Sequence, residues 1–202
     1  MNLTDPITLS PAFYARDVVQ VARALLGTRL VRRLDGARIG GTIIEAEAYR
    51  GEEDLACHAR AGRTPRTAIM YGLPGCAYVY FTYGNHWMLN AVCMAEGFPA
   101  AVLIRAIRPE EGVDVIAARR APMPQRIWTD GPGKLTKALA IDGALNGVDL
   151  TDLAGGLWIE PGEPVPDALV LAGPRVGLGA TPEPWLSMPW RFRLVAGKNA
   201  DD

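Results

Sequence analysis

Residues 41–49 have the sequence Gly-Thr-Ile-Ile-Glu-Ala-Glu-Ala-Tyr. β-Branched residues at the front of this stretch, directly after Gly40, favour a β-strand. Successive side chains of a strand point to opposite faces. The residues of one face are Glu45, Glu47 and Tyr49. The residues of the other face, small and apolar as a core face should be, are Ile44, Ala46 and Ala48. The polar face is either an ordinary solvated surface or a functional one, and alternation alone favours the solvated surface.

The chain just before this strand predicts a β-hairpin. Asp35-Gly36 separates residues 28–34 from the strand that ends at Tyr49, and Asp-Gly between two such runs is a strong turn signal. Further upstream, Asp17 is placed to cap a short helix that Gly27 ends. A helix followed by two antiparallel strands is therefore expected.

Residues 50–76 are predicted to form a long loop, because glycines and prolines interrupt every periodicity. A loop of this length in a compact domain is usually functional or disordered. This one contains His58 and three arginines, which favours function. The arginines are Arg60, Arg63 and Arg66.

A second hairpin is predicted from aromatic content and alternation. Residues 77–83, Ala-Tyr-Val-Tyr-Phe-Thr-Tyr, form its first strand, Gly84-Asn85 its turn, and residues 86–93 its return strand. Tyr83 lies beside the turn, where an exposed aromatic side chain is unusual for an inert surface. For the other aromatic residues of this hairpin, such as Tyr78, cross-strand packing is the simpler explanation.

Residues 100–106 form a nearly continuous apolar run, which predicts a buried strand. Arg105 at its end requires a carboxylate if it is buried, and Glu47 is the candidate partner. Pro109 is predicted to start a helix that extends to about Arg120. Shorter strands are predicted at residues 157–160, 168–171 and 190–195.

Gly131-Pro132-Gly133-Lys134 is predicted to begin a further helix. Free backbone N–H groups at a helix start, with a lysine nearby, favour an anion. The full P-loop pattern is absent, so Gly133 and Lys134 suit a single backbone phosphate better than a nucleoside triphosphate.

Length and composition indicate one domain over residues 1–202, with 49% hydrophobic residues and a formal net charge of −1. The basic residues form either a one-sided surface or a uniform distribution. Three scattered cysteines and two histidines do not provide zinc spacing, so neither a metal nor a cofactor is expected. Met1–Pro6 has no signal-peptide character, and no run of about 18 apolar residues occurs, so an intracellular protein without membrane association is expected.

Several motifs occur in order along the chain. They are Glu-Ala-Glu-Ala-Tyr (45–49), a His nine residues after this Tyr, Tyr-Val-Tyr-x-x-Tyr-Gly (78–84) followed by an Asn, Leu-Ile-Arg-Ala (103–106), Gly-Pro-Gly-Lys-Leu (131–135) and Arg-Val-Gly-Leu-Gly (175–179). Together they resemble the alkyladenine (3-methyladenine) DNA glycosylase family. The resemblance covers nearly the whole chain, from Asp17 to Arg193.

The resemblance implies an α+β fold: a single mixed domain with a curved antiparallel β-sheet, peripheral helices and a protruding β-hairpin. It implies a monofunctional enzyme of base excision repair that flips alkylated purines out of double-stranded DNA. The implied substrates are 3-methyladenine, 7-methylguanine and often hypoxanthine, and the product is an abasic site. Recognition of one lesion at a time suits a monomer.

The resemblance also assigns roles to residues at the matched positions. Glu47 is expected to be the general base that activates a water, which Arg105 and the backbone carbonyl of Val176 help to hold. The residues expected around the flipped base are Tyr49, His58 and Tyr80. Asn90 is expected near the purine 2-amino position, and Tyr83 is expected to fill the gap in the duplex.

The chemistry of these residue types agrees with such roles. A cationic alkylated purine stacks well on tyrosine rings, and a carboxylate such as Glu47 activates water and stabilises the developing oxocarbenium ion. Two alternatives stay open. A non-catalytic DNA-damage-binding protein would need Tyr83 and the arginines but not Glu47. A small-molecule nucleoside hydrolase would need Glu47 and the aromatic pocket but not the projecting hairpin.

Overall fold

The computed structural model describes residues 7–195, so Met1–Pro6, for which no signal-peptide character is expected, lies outside the described part. Eight strands of the described chain form one antiparallel sheet. The strands are β1 (Arg29–Leu34), β2 (Ala37–Arg50), β3 (Ala77–Thr82), β4 (His86–Val92), β5 (Ala100–Glu111), β6 (Leu157–Glu160), β7 (Val170–Gly173) and β8 (Arg191–Leu194). Their order is β3-β4-β5-β2-β1-β6, with β8 pairing with both β2 and β7. The α-helices are α1 (Pro11–Tyr14), α2 (Val18–Ala24), α3 (Val113–Arg120) and α4 (Pro132–Ala138). The predicted α+β class is confirmed.

The first hairpin forms as its sequence predicts. Asp35 and Gly36 both have positive φ angles, 49° and 80°, which matches the twist that a two-residue hairpin turn requires. Upstream of the hairpin, the Asp17 carboxylate accepts hydrogen bonds from the amides of Val19 and Gln20 and caps α2. The turn places β1 beside β2, and the cap fixes the start of the helix that precedes them.

Strand β2 contains a bulge that corrects one prediction. Ile43 and Glu45 pair with the consecutive β5 residues Ile107 and Ala106, so Ile44 is an inserted residue. A bulge reverses the alternation behind it. Ile43 is consequently buried in the core, whereas Ile44 is only partly buried. The prediction that Ile44 shares the core face is wrong, although the two alanines after Glu45 are fully buried as expected.

Strand β5 is longer than predicted, and the helix predicted to start at Pro109 does not start there. Pro109 pairs with Gly41 of β2, at a level where β4 has already ended its pairing with β5. The missing N–H of Pro109 is tolerated because, among the strands that the structure describes, none pairs with β5 on that side at this level. The helix begins only after Gly112, whose φ of +61° ends the strand.

Two apolar clusters fix the framework of the sheet. The larger one packs α2 and α4 against the sheet. The smaller one includes Cys57, Ala59 and Met70 and attaches the loop of residues 51–76 to β3, β4 and β5. Two short 3-10 turns, His58–Ala61 and Ala68–Tyr71, lie within this loop. Across residues 7–195, no helix is long and apolar enough to cross a membrane.

Candidate active site

A cavity of about 310 Å³ opens between the second hairpin, the loop of residues 51–76 and the segment of residues 176–178. Seven of the residues singled out from the sequence line it: Tyr49, His58, Tyr80, Tyr83, Asn90, Arg105 and Val176. The volume lies at the lower end of the roughly 300–1,000 Å³ that small-molecule sites occupy. The fold therefore brings together residues that lie more than 120 positions apart in the chain.

Glu47 lies directly behind the wall of this cavity. Its side chain has no exposed surface, and three donors hold its carboxylate. The Val176 amide donates to Oε1 at 2.8 Å, the Tyr49 hydroxyl to Oε2 at 2.9 Å, and the Arg105 Nη1 to Oε2 at 3.3 Å. Each donor residue also lines the cavity. The Glu47 carboxylate is thus held beside the cavity, shielded from bulk water and oriented by hydrogen bonds.

A bulge in β5 places Arg105 between two carboxylates. Glu45 pairs with Ala106 and the next residue of β2 pairs with Ile104, so Arg105 is the inserted residue. Its Nε donates to Glu45 at 2.7 Å, while Nη1 reaches Glu47. The predicted Arg105–Glu47 pair is confirmed. Glu45 also accepts from Arg191 of β8, which indicates a structural role for this carboxylate.

Burial raises the pKa of the Glu47 carboxyl above its usual value, and Arg105, the Val176 amide and the Tyr49 hydroxyl oppose that rise. Burial, together with Glu47, raises the pKa of Tyr49 well above its usual value. Tyr49 therefore remains a neutral phenol that donates its proton to the carboxylate. A carboxyl group with a raised pKa is a stronger base than an exposed one, which suits proton abstraction from water.

The opposite side of the cavity is aromatic. The His58 ring lies 4.6 Å from the Tyr80 ring in an edge-to-face arrangement, and its Nδ1 is 3.0 Å from the Tyr78 hydroxyl. The Arg66 guanidinium lies 5.0 Å from the centre of the Tyr80 ring. Burial, with Arg66 and Arg60 nearby, lowers the pKa of His58 to about 4, so the imidazole is neutral at pH 7.

Asn90 and Val176 contribute polar groups to the cavity wall. Asn90 is 4% exposed, and one N–H of its amide donates to the Tyr78 carbonyl across the hairpin at 3.0 Å. This bond fixes the orientation of the Asn90 amide toward the cavity. At Val176, where the backbone carbonyl was predicted to act, the observed contact is the amide N–H bound to Glu47.

The tip of the second hairpin carries Tyr83 over the cavity. Tyr83 lies within the turn rather than beside it, with a φ of +52°, because β3 ends at Thr82. The residue is 77% exposed. Its hydroxyl lies 4.0 Å from the position that a Cβ on Gly177 would occupy, so it extends across the mouth of the cavity.

Helix α4 packs against the return strand of this hairpin. A Cβ on Gly133 would lie 2.7 Å from Cγ of the His86 ring, so glycine permits the close approach. Thr136 secures the contact by donating to the Trp87 carbonyl at 2.9 Å. Lys134 forms a 2.9 Å ion pair with Asp130, and neither Lys134 nor Gly133 lines the cavity.

The comparisons with known proteins show which family this chain belongs to. The family model described as "Methylpurine-DNA glycosylase (MPG)" matches residues 12–198. This chain belongs to the methylpurine-DNA glycosylase family. Relatives named "Putative 3-methyladenine DNA glycosylase" include one from Carboxydothermus hydrogenoformans, 47% identical over 92% of this chain and 94% of its own length. Another, from Anaeromyxobacter dehalogenans, is 49% identical over 92% of this chain and 83% of its own length.

Membership of this family makes the protein a DNA glycosylase, an N-glycosyl hydrolase of DNA repair. The predicted resemblance is thereby confirmed over nearly the full chain. A non-catalytic damage-binding protein and a hydrolase of small nucleosides are both disfavoured, because the family and its named relatives are glycosylases acting on DNA.

Sequence reasoning missed one pair of residues in this glycosylase. Asp54 and Arg175 form a bidentate ion pair whose side chains have no exposed surface. Asp54 ends the acidic run Glu52-Glu53-Asp54, which resembles a solvated surface. Arg175 precedes the Val176-Gly177 segment that the sequence did single out. The available signal was the position of Arg175 directly before Val176, whose backbone carbonyl is expected from the sequence to help hold the attacking water.

Proposed function

We propose that this DNA glycosylase hydrolyses the N-glycosidic bond of alkylated purines, 3-methyladenine and 7-methylguanine, and also of hypoxanthine, in double-stranded DNA. The observation that carries the proposal is the placement of Glu47: a buried carboxylate whose three donors all line one aromatic cavity. A structural ion pair would not require such a cavity beside it.

The cavity suits one flipped purine rather than a base within a duplex. Extruding a base costs a few kcal/mol of stacking and pairing, and damaged bases cost least. Stacking on aromatic rings such as those of Tyr49 and Tyr80 returns about 1–3 kcal/mol per base. The neutral state of His58 matters here, because a protonated imidazole would repel a cationic alkylated purine.

Hydrolysis then follows from the position of the carboxylate. Glu47 accepts a proton from a water while the water oxygen bonds to C1′ of the sugar. The bond from C1′ to the purine nitrogen breaks, and its electron pair leaves with the base, which is already electron-poor when it is alkylated. The negative charge of Glu47 also stabilises the oxocarbenium character of the sugar. Arg105 and the Val176 carbonyl are the proposed groups that hold the water.

Base selection is assigned to Asn90. Its amide is fixed by the Tyr78 carbonyl and cannot rotate freely to suit a different base. A purine 2-amino group brought against this amide would lose a hydrogen bond to water without a good replacement, which penalises guanine and 7-methylguanine alike. In 7-methylguanine the positive charge of the base weakens the glycosidic bond and offsets this penalty, whereas normal guanine has no such compensation. Hypoxanthine, which lacks that group, would not be penalised.

Binding to the duplex is assigned to the hairpin and to the rim of the cavity. Tyr83 is the proposed wedge that replaces the flipped base in the stack. Within residues 7–195, Arg60, Arg63 and Arg66 have no ion-pair partner, so their charges are available to phosphates. Gly133 and Lys134 remain proposed phosphate contacts at the start of α4.

The proposed enzyme is a monofunctional, intracellular monomer that needs no cofactor. Strand cleavage by a lyase step uses an amine nucleophile. Lys134 is the one lysine within the motifs, and it is paired with Asp130 and lies outside the cavity lining. The proposed product is an intact strand with an abasic site.

The test is release of the base from duplexes that carry one hypoxanthine or random alkylation. Wild type should give strand breaks only after alkali treatment, and Glu47→Gln should lower the single-turnover rate about 10²–10⁴-fold with lesion binding retained. Glu45→Gln is the matched control, because Glu45 is the neighbouring carboxylate on the same face, and it should lose less than about tenfold.

Two results would overturn the proposal. Wild-type rates from Glu47→Gln would remove Glu47 from the chemistry. Strand breaks without alkali, absent from an inactive preparation, would contradict the monofunctional mechanism.

A further inference from the structure

A buried ion pair outside the cavity connects the elements that carry its functional groups. Arg175 Nη2 donates to Asp54 Oδ1 at 2.9 Å, Nη1 binds Oδ2, and both side chains are fully buried. A buried ion pair costs several kcal/mol of desolvation per ion and is often replaceable by apolar residues. Stability alone is therefore a weak reason for this pair to lie here.

Arg175 reaches strand β2 directly at the site. Its Nη1 donates to the carbonyl of Ala48 at 3.0 Å, and Ala48 lies between Glu47 and Tyr49. The guanidinium carbon is 4.8 Å from the centre of the Tyr49 ring. Since Tyr49 lines the cavity and Arg175 does not, the cation contacts the ring from behind the wall.

Arg175 also precedes the residue that holds the carboxylate. The Val176 amide donates to the Glu47 carboxylate. Val176 is the residue directly after Arg175, and Glu47 is the residue directly before Ala48. Fixing Arg175 against Ala48 therefore fixes the distance between the Val176 amide and Glu47.

Asp54 connects the ion pair to the loop of residues 51–76, which forms one wall of the cavity. Its carboxylate accepts from the Arg50 amide at 3.2 Å and from the Ala56 amide at 3.0 Å. These bonds fix the backbone at the start of the loop of residues 51–76, and His58 follows Ala56 by two residues. One ion pair thus ties together the end of β2, the His58 loop and the Val176 segment.

We propose that Asp54 and Arg175 are positioning residues that hold the Glu47 carboxylate and the Tyr49 ring in the geometry required for base excision. The inference rests on the proposed role of Glu47. Neither residue touches the substrate, and the pair acts through the Val176 amide and the Ala48 carbonyl. Misplacement of a reacting group by about 1 Å from a distant change costs on the order of 100-fold in rate.

The test uses Arg175→Lys, which keeps the charge but loses the two-pronged contact with Asp54 and the stacking on Tyr49. We expect a 10- to 100-fold lower single-turnover excision rate on a hypoxanthine duplex, with the dissociation constant for that duplex changed less than about twofold. Because a weakened Val176–Glu47 bond favours the protonated carboxyl, the acidic limb of the rate profile should also move to higher pH.

Arg38→Lys is the matched control. Arg38 also forms a two-pronged ion pair, with Glu111 and Glu160, and its guanidinium lies 5.4 Å from the Trp158 ring. It lies nine residues before Glu47 on β2, roughly 30 Å along an extended strand. This variant should keep the wild-type rate and pH profile. Asp54→Asn keeps the shape of the acceptor and should reproduce the Arg175→Lys result.

The outcomes separate this inference from the proposed function. If Glu47→Gln loses excision while folded Arg175→Lys and Asp54→Asn retain the wild-type rate and pH profile, the positioning role is refuted and Glu47 keeps its role. If Glu47→Gln itself is active, the proposed function fails first. If neither variant of the pair folds, as judged by circular dichroism at 15 °C, the pair is a determinant of the fold and the positioning role is rejected.

Discussion

Replacing Tyr49 by Phe removes one hydroxyl group and leaves the ring in the cavity wall. The lost hydrogen bond is 2.9 Å long and ends on the fully buried Glu47 carboxylate. A hydrogen bond to a charged group contributes about 1.5–3 kcal/mol, against about 0.5–1.5 kcal/mol for a neutral pair. For a chain of this length, a loss of about 1.5–3 kcal/mol corresponds to a melting temperature lower by roughly 3–12 °C at pH 8, where the charged hydrogen bond is the one lost.

The effect should depend on pH in a defined direction. Burial raises the pKa of Glu47 in the folded protein, so the folded state keeps a proton that the unfolded chain has already lost. Glu47 therefore lowers stability as pH rises from 4.5 through the raised pKa. The Tyr49 hydroxyl lowers that pKa, so Tyr49→Phe should raise it further. The difference in the free energy of unfolding between Tyr49→Phe and wild type should consequently be small near pH 4.5 and largest at pH values above the raised pKa of Glu47.

Urea unfolding of both proteins between pH 5 and 8 measures the free energy of unfolding. Single-turnover excision rates over the same pH range report the ionisation of the general base Glu47. The acidic limb of the excision profile should move to higher pH, while affinity for a lesion duplex changes less than about twofold because the ring remains. Tyr78→Phe is the control, because the Tyr78 hydroxyl binds the neutral His58 ring at 3.0 Å. Its smaller stability loss should not vary between pH 5 and 8. An equal loss for Tyr49→Phe at both ends of the range, with an unmoved limb, would refute an ionised Glu47 as the base.

Three further predictions concern the hairpin, α4 and the imidazole. Tyr83→Ala should lower excision from duplex DNA about 5- to 150-fold without changing release from free nucleosides, and equal losses on both substrates would contradict the wedge. Gly133→Ala should cost about 1–3 kcal/mol in urea unfolding, because its Cβ would lie 2.7 Å from Cγ of the His86 ring, and His86→Ala should restore most of that stability. The His58 resonances should titrate in NMR spectra with a pKa of about 4, and a midpoint near 6.5 would show an imidazole that is not buried against Arg66.

The sequence alone determined the two β-hairpins of this glycosylase. Asp35-Gly36 is a local turn signal, and apolar and polar residues alternate with a period of two along β2 and β3. The positions of these strands therefore followed from short stretches of chain. The shared face of Glu45, Glu47 and Tyr49 also followed, because side chains two residues apart lie on one side of a strand. The ordered motifs identified the family.

The tertiary structure alone decided how the site is assembled. The bulge at Ile44 has no local signal, since it depends on how β5 pairs with β2. The bond from Val176 to Glu47 joins residues 129 positions apart, and the Arg175–Asp54 pair spans 121 positions. A buried charge and a solvated charge look the same in a sequence, because burial is a property of what packs over a residue and not of the residue itself.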